Sequence, residues 1–435
     1  MRFFLLHLKL NGIKNISKEI QLDFYNKVIT AFEPDMFKVK AIYGENGSGK
    51  TALMTAISIA KKMILSPGYL RQTDTQQLLN ELINKKNKEL FMEFEFAAYD
   101  NSMLNVFRYS FSLTRNPFGI YELTREKLEV IRDYTRNKRF RPVYEINGGQ
   151  IERLSVDKED VEQIKNVTMN LLKECPFSLA VIESGIKDID YAFEIVSVLL
   201  FFFSVNVYLD EEDLHEFYLI NNTVKNLKIS GYENSSDNID PLIRRQLFYI
   251  DSKGRDIVDK KDFSKYKDKS ERLTRYLKMF KSDLRGIAVE KRDNGEVYSC
   301  DLILKYDGYS VSREFESTGI KKLIRIFDSL VNADEGGISF IDEMDSNINA
   351  VYLCKMIEYF TNYGKGQLCF TTHNLDPMSV LKNNKNSIDF ITMENKVVSW
   401  KVNGNAAPDR YYRNGMIEDM PFNIDAIDFI GIFGE

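Results

Sequence analysis

Residues 41–56 read AIYGENGSGKTALMTA, and residue types at this spacing suit one task, the holding of phosphate groups. Gly44, Gly47 and Gly49 have no Cβ, so the backbone can curl tightly and aim successive N–H groups inward. Lys50 brings a mobile cation to the β and γ phosphates, and the Thr51 hydroxyl can ligate an accompanying Mg²⁺. Glu45, Asn46 and Ser48 fill the remaining positions of the loop and count with it as phosphate-site candidates.

A second set of candidates lies far downstream. In GISFIDEMDSN an apolar stretch delivers Asp342 and Glu343 to a strand end. Asp342 suits the carboxylate that holds Mg²⁺ through its water shell, and Glu343 suits the base that polarises an attacking water. In GQLCFTTHN another apolar stretch ends at His373, one of only three histidines in the chain. A histidine there can hydrogen-bond a γ-phosphate and sense its presence. His7 and His215 are read as structural residues. In FESTGIKKLIRIFDSL, Ser317 and Gly319 precede Ile320, Leu323, Ile324, Ile326, Phe327 and Leu330, which fall on one helical face. A hydroxyl plus free N–H groups at a helix start makes another anion site, although most such caps bind nothing.

These groups need a sheet to bring them together. VKAIY before the loop predicts a short buried strand, and TALMTAISIAKKMI after it predicts a helix whose N-terminus adds its dipole to the phosphate site. GISFIDE and GQLCFTTHN predict two buried parallel strands. The opening MRFFLLHLKLNGIKN reads as a strand entering a turn at Asn11-Gly12 and lacks the layout of a signal sequence. Residues 90–98, 105–114 and 119–131 alternate apolar and polar side chains around turn signals, which predicts an antiparallel meander. From 155 to 285 the pattern becomes helical and more charged, without a sustained heptad repeat. EVYSCDLILKYDG looks like a strand pair.

With 435 residues the chain should form two to three compact units, and 44% hydrophobic residues supply ample core. The net charge of −5 gives no general reason to bind nucleic acid. The four cysteines are far apart and read as free thiols of a reducing, cytoplasmic compartment. The uncharged run 195–209 is short of the roughly 20 residues that span a bilayer and predicts a buried helix, so no membrane partner is expected. Residues 255–285 hold eleven Lys or Arg against six acids. This stretch could bind DNA or RNA phosphates, be a solvated helix face with its own ion pairs, or meet a partner protein.

P-loop, serine-glycine helix cap, Asp-Glu pair and histidine strand end, in that order, resemble the ABC-type ATPase head. LHLKLNGIKNI resembles the first strand of the SMC, RecF and OLD-family heads, and the whole is most similar to AAA-annotated ATPases of bacterial abortive-infection (antiphage) systems. The resemblance implies an α/β fold: a P-loop ABC-type ATPase head with a parallel core sheet plus an antiparallel β meander, interrupted by a helical insertion domain. Its halves would be 1–154 and 286–435, with the insertion at 155–285. It further implies ATP and Mg²⁺ as ligands, Asp342 as Walker B acid, Glu343 as catalytic base and His373 as the H-loop residue. Asp345 would belong to the D-loop, and Ser317 with Gly319 to the signature, here ESTGI rather than LSGGQ. No residue is assigned to the glutamine loop. Because the signature of such heads serves the neighbour's nucleotide, a homodimer or higher oligomer is implied. A toxin or nuclease partner would follow from the antiphage likeness, and an SMC- or RecF-like DNA-binding ATPase is the alternative.

Overall fold

The structure, a computed structural model, describes residues 1–26, 32–100, 103–134, 136, 138–155, 162, 164–166, 171–183, 192–209, 250, 254–384, 386–401 and 407–417. Its centre is a six-stranded sheet in the order 397–399, 388–391, 39–43, 367–371, 338–341, 205–208. All neighbours run parallel except the first pair. The strand before the P-loop is therefore interior, as its five buried residues require. Its side chains alternate between two cores. Ile42, Phe340, Cys369 and Ile391 face the core that holds the helix Lys50–Leu65. Ala41, Tyr43, Ile341, Phe370 and Phe390 face the core that holds the helix Thr318–Asp334. A parallel strand covered on both faces is mostly apolar, and here the buried Lys40 is paired, its Nζ donating to Asp389 Oδ2 at 2.6 Å.

The meander is antiparallel and larger than the sequence alone suggested. Strands Arg2–Asn11, Glu89–Tyr99, Leu104–Arg115 and Tyr121–Ile131 form its middle, flanked by Ile20–Asp23 on one side and Arg141–Asn147 with Gln150–Leu154 on the other. Its inward aromatic residues pack on the apolar helix Ala192–Ser204, with Phe96 stacked on Phe201 at 4.1 Å between ring centres. The helix and the meander thus bury each other's apolar faces, each removing from water what the other exposes.

Three details differ from the sequence reading. The run 195–209 is a helix only to Ser204; Val205–Tyr208 is a strand pairing in parallel with Ile338–Ile341. Alternating β-branched Val205 and Val207 favour the extended form once a strand edge is there to pair with. EVYSCDLILKYDG holds one long strand, Val297–Lys305, not two; its partner is Gly286–Asn294 just before it. Within 155–285, Asp256–Asp259 pairs with Val297–Cys300, so that part of the stretch belongs to the same sheet as residues 286–312. The helical reading of 157–174 lies largely outside the described residues. All four cysteines are free. Among the described residues no helix is long and apolar enough to cross a membrane.

One buried acid in the meander gives a stability prediction. Glu126 accepts hydrogen bonds from the hydroxyls of Tyr109 (3.0 Å) and Tyr144 (2.9 Å) and from the Phe177 N–H (2.9 Å). Burial pushes its carboxyl up to about 7, against the pull of those three donors. A pKa raised on folding contributes stability that is complete below the unfolded value and lost as pH rises through the folded one. Relative to Glu126→Gln, the parent chain should lose about 3 kcal/mol between pH 4.5 and pH 7.5. Urea unfolding of both chains across that range checks this; parallel profiles would refute it.

Candidate nucleotide site

The P-loop follows from its glycines. Gly47 (φ 81°) and Gly49 (φ 110°) sit in the left-handed region, where a side chain is strained. Gly44 is needed for space instead, since a Cβ there would lie 2.4 Å from Ser48 Oγ and 2.5 Å from the Ile391 carbonyl oxygen. The helix Lys50–Leu65 starts from Gly49 with no side-chain cap, so its first-turn N–H groups are left to the loop. Lys50 is buried, and its Nζ donates to the carbonyl oxygens of Gly44 (2.7 Å) and Glu45 (2.9 Å). Burial lowers its pKa, while Asp342, Glu343, Asp345 and Glu45 act in the opposite sense. The parallel pairing of 39–43 with 367–371, and of 367–371 with 338–341, puts the P-loop and the acid pair at the same edge of the sheet. Ser48 Oγ is buried with no hydrogen-bond partner among the described residues, whereas Asn46, Gly47 and Thr51 are exposed.

The acids sit where the strand Ile338–Ile341 ends. Asp342 is buried, and its Oδ1 accepts a hydrogen bond from Thr371 Oγ1 at 2.6 Å. Glu343 is exposed and takes φ +46°, unusual for a residue other than glycine. Its N–H donates to Thr371 Oγ1 at 2.8 Å. Asp345 Oδ2 accepts from the N–H groups of His373 (3.3 Å) and Asn374 (3.2 Å), tying the turn after the acids to the turn that carries the histidine. His373 itself is exposed.

Ser317 caps the helix Thr318–Asp334, its Oγ accepting from the Ile320 N–H at 3.4 Å. Both Ser317 and its neighbour Phe315 are exposed. A Cβ on Gly319 would meet the Asn347 carbonyl oxygen at 3.0 Å, so this helix start lies against the turn that follows Asp345. Among the described residues no hydrogen bond joins Ser317 or Gly319 to the P-loop. The segment entering the cap is anchored by Arg313, which is fully buried and donates to Asp256 Oδ2 (2.6 Å) and the Gly254 carbonyl oxygen (2.7 Å). Tyr266 donates to the same Asp256 oxygen. The basic stretch 255–285 therefore helps build the floor beneath the cap. Among the described residues, ion pairs engage Lys260, Lys261, Lys265, Lys269, Arg272, Lys281 and Arg285 of this stretch.

The donor set suits a nucleoside triphosphate with a divalent cation: an uncapped helix start, a desolvated lysine, an exposed threonine hydroxyl and a buried carboxylate. Lys50, Asp342, Glu343, Asp345 and the His373 backbone converge there, and the helix start at Ser317 and Gly319 lies against the turn after Asp345. Sequence reasoning missed two supports. Asn15, just past the Asn11-Gly12 turn, donates from Nδ2 to the Gly47 carbonyl oxygen. Thr371 joins both acids, and only its place at the end of a buried strand could have pointed to it.

No protein-family model matches this sequence. No curated protein matches it either. Among solved structures, the Smc head domain with a coiled coil and joint derived from Pyrococcus yayanosii is similar at 12% identity and a TM-score of 0.40. The match covers 92% of this chain and 98% of that one. At that level of similarity no role passes from that protein to this chain.

Proposed function

We propose that this chain is an ATPase that binds ATP with Mg²⁺ at the P-loop and hydrolyses it in a site closed by a second copy of itself. The observation that carries the reading is the burial of Lys50 in its glycine loop within the electrostatic reach of Asp342 and Glu343. Residues 44–51 would bind the phosphates through backbone N–H groups and Lys50 Nζ. Thr51 and Asp342 would hold Mg²⁺, which when bound offsets phosphate charge. Glu343 would accept the proton of the water that attacks the γ-phosphorus, as the bond to the ADP oxygen breaks and ADP and phosphate leave. His373 would contact the γ-phosphate. The head would be assembled from 1–154 and 286–435, with 155–285 supplying the specific biology around its structural strands. In the reading taken from the sequence resemblance, that biology is control of a toxin or nuclease partner in antiphage defence, in the cytoplasm. The alternative, an SMC- or RecF-like ATPase acting on DNA, would use 255–285 for phosphate contacts.

The test concerns Ser317 acting on the neighbour's nucleotide, in an isologous dimer. Lys50→Ala chains and Ser317→Arg chains should each be inactive alone. A mixed dimer has one site with intact Lys50 and intact Ser317, and phosphate release should return. Mixed dimers that form yet stay as inactive as their parents would contradict a composite site.

A further inference from the structure

Two neighbouring strands end side by side here, and one hydroxyl spans the gap between their chemistries. Thr371 is the last residue of the strand Gln367–Thr371, is fully buried, and follows Phe370, which pairs with Ile341. A hydroxyl has one proton to give and lone pairs to receive. The Thr371 proton goes to Asp342 Oδ1 at 2.6 Å, and the oxygen receives the Glu343 N–H at 2.8 Å. Its backbone carbonyl oxygen takes the next N–H as well, that of Met344, at 3.0 Å. Three consecutive residues of the acidic turn are thus held by a single residue of the adjacent strand.

From this we propose that Thr371 is a positioning residue that sets the two acids in their working geometry. The inference rests on the nucleotide reading for its consequence in catalysis, but the clamp itself is a matter of this chain alone. Two effects follow. Committing the Oδ1 atom of Asp342 restrains that carboxylate's rotamer and leaves Oδ2 for another ligand. Satisfying the Glu343 N–H holds that residue at φ +46°, a conformation that costs free energy in a side-chain-bearing residue and persists only where its surroundings enforce it. The exposed Glu343 side chain is thereby aimed by a backbone constraint rather than by contacts of its own. Thr372 does not take this place: it lies past the strand end, and its Oγ1 accepts the Asn374 N–H at 3.0 Å.

Thr371→Val keeps the shape and β-branching and deletes only the hydroxyl; Thr371→Ser keeps the hydroxyl. With the parent chain active, Thr371→Val should lower kcat at least about tenfold while KM stays within about threefold, and Thr371→Ser should restore most of the loss. Hydrogen exchange of the peptide spanning 342–344, without nucleotide, reads the clamp directly: faster in Thr371→Val, near the parent rate in Thr371→Ser. Unchanged kcat in Thr371→Val, or unchanged exchange, would overturn the proposal. A parent chain that hydrolyses no ATP but shows the exchange pattern would sink the hydrolytic reading and leave the clamp standing.

Discussion

Glu343→Gln chains will bind ATP as the parent does and hydrolyse it at least about 100-fold more slowly, the loss that removal of a general base implies. The substitution is close to isosteric, so the turn should survive it. Glu343 is exposed, and its backbone is held through its N–H by Thr371, a bond that glutamine keeps. What disappears is the side-chain oxygen able to take a proton. Asp342 cannot take over, because it is buried and already accepts the Thr371 hydroxyl. Phosphate release at saturating ATP, paired with calorimetric binding, separates the two steps. Turnover at the parent rate would remove Glu343 from the reaction.

The parts of this site visible in the sequence are those that depend on local order. A glycine loop between a buried strand and a helix is written in consecutive residues, and Gly47 and Gly49 occupy the left-handed positions that such a loop demands. The acid pair and His373 are legible for a related reason, since each follows a short, mostly apolar strand that gives way to polar residues. What stayed hidden depends on partners remote in sequence. Val205–Tyr208 continues an apolar helix without a break in composition, and only pairing with Ile338–Ile341 makes it a strand. The extent of Val297–Lys305 is hidden for the same reason, because its length is set by the strand Gly286–Asn294 beside it. Thr371 and Thr372 look alike in the sequence, and which of them faces Asp342 is decided by the register of two parallel strands. The charge of 255–285 was plain, but its neutralisation by Asp293, Asp307, Asp328 and Asp334 required the fold.

Whether the loop holds a nucleotide through Lys50 decides the function proposed for this chain. Lys50 Nζ lies in a buried position among loop carbonyls, where a charge-assisted contact to phosphate is screened little by water. Two such contacts contribute about 3 kcal/mol between them, or about 100-fold in affinity. Alanine at this first helical position preserves the helix, so the fold should tolerate the change. The decisive measurement is a calorimetric titration of ATP with Mg²⁺ into the parent chain and into Lys50→Ala. The expected result is saturable binding by the parent and affinity at least about 100-fold weaker in the variant. Equal affinity in the two chains, or a folded parent chain that takes up no nucleotide, would contradict the assignment of residues 44–51 as a phosphate site.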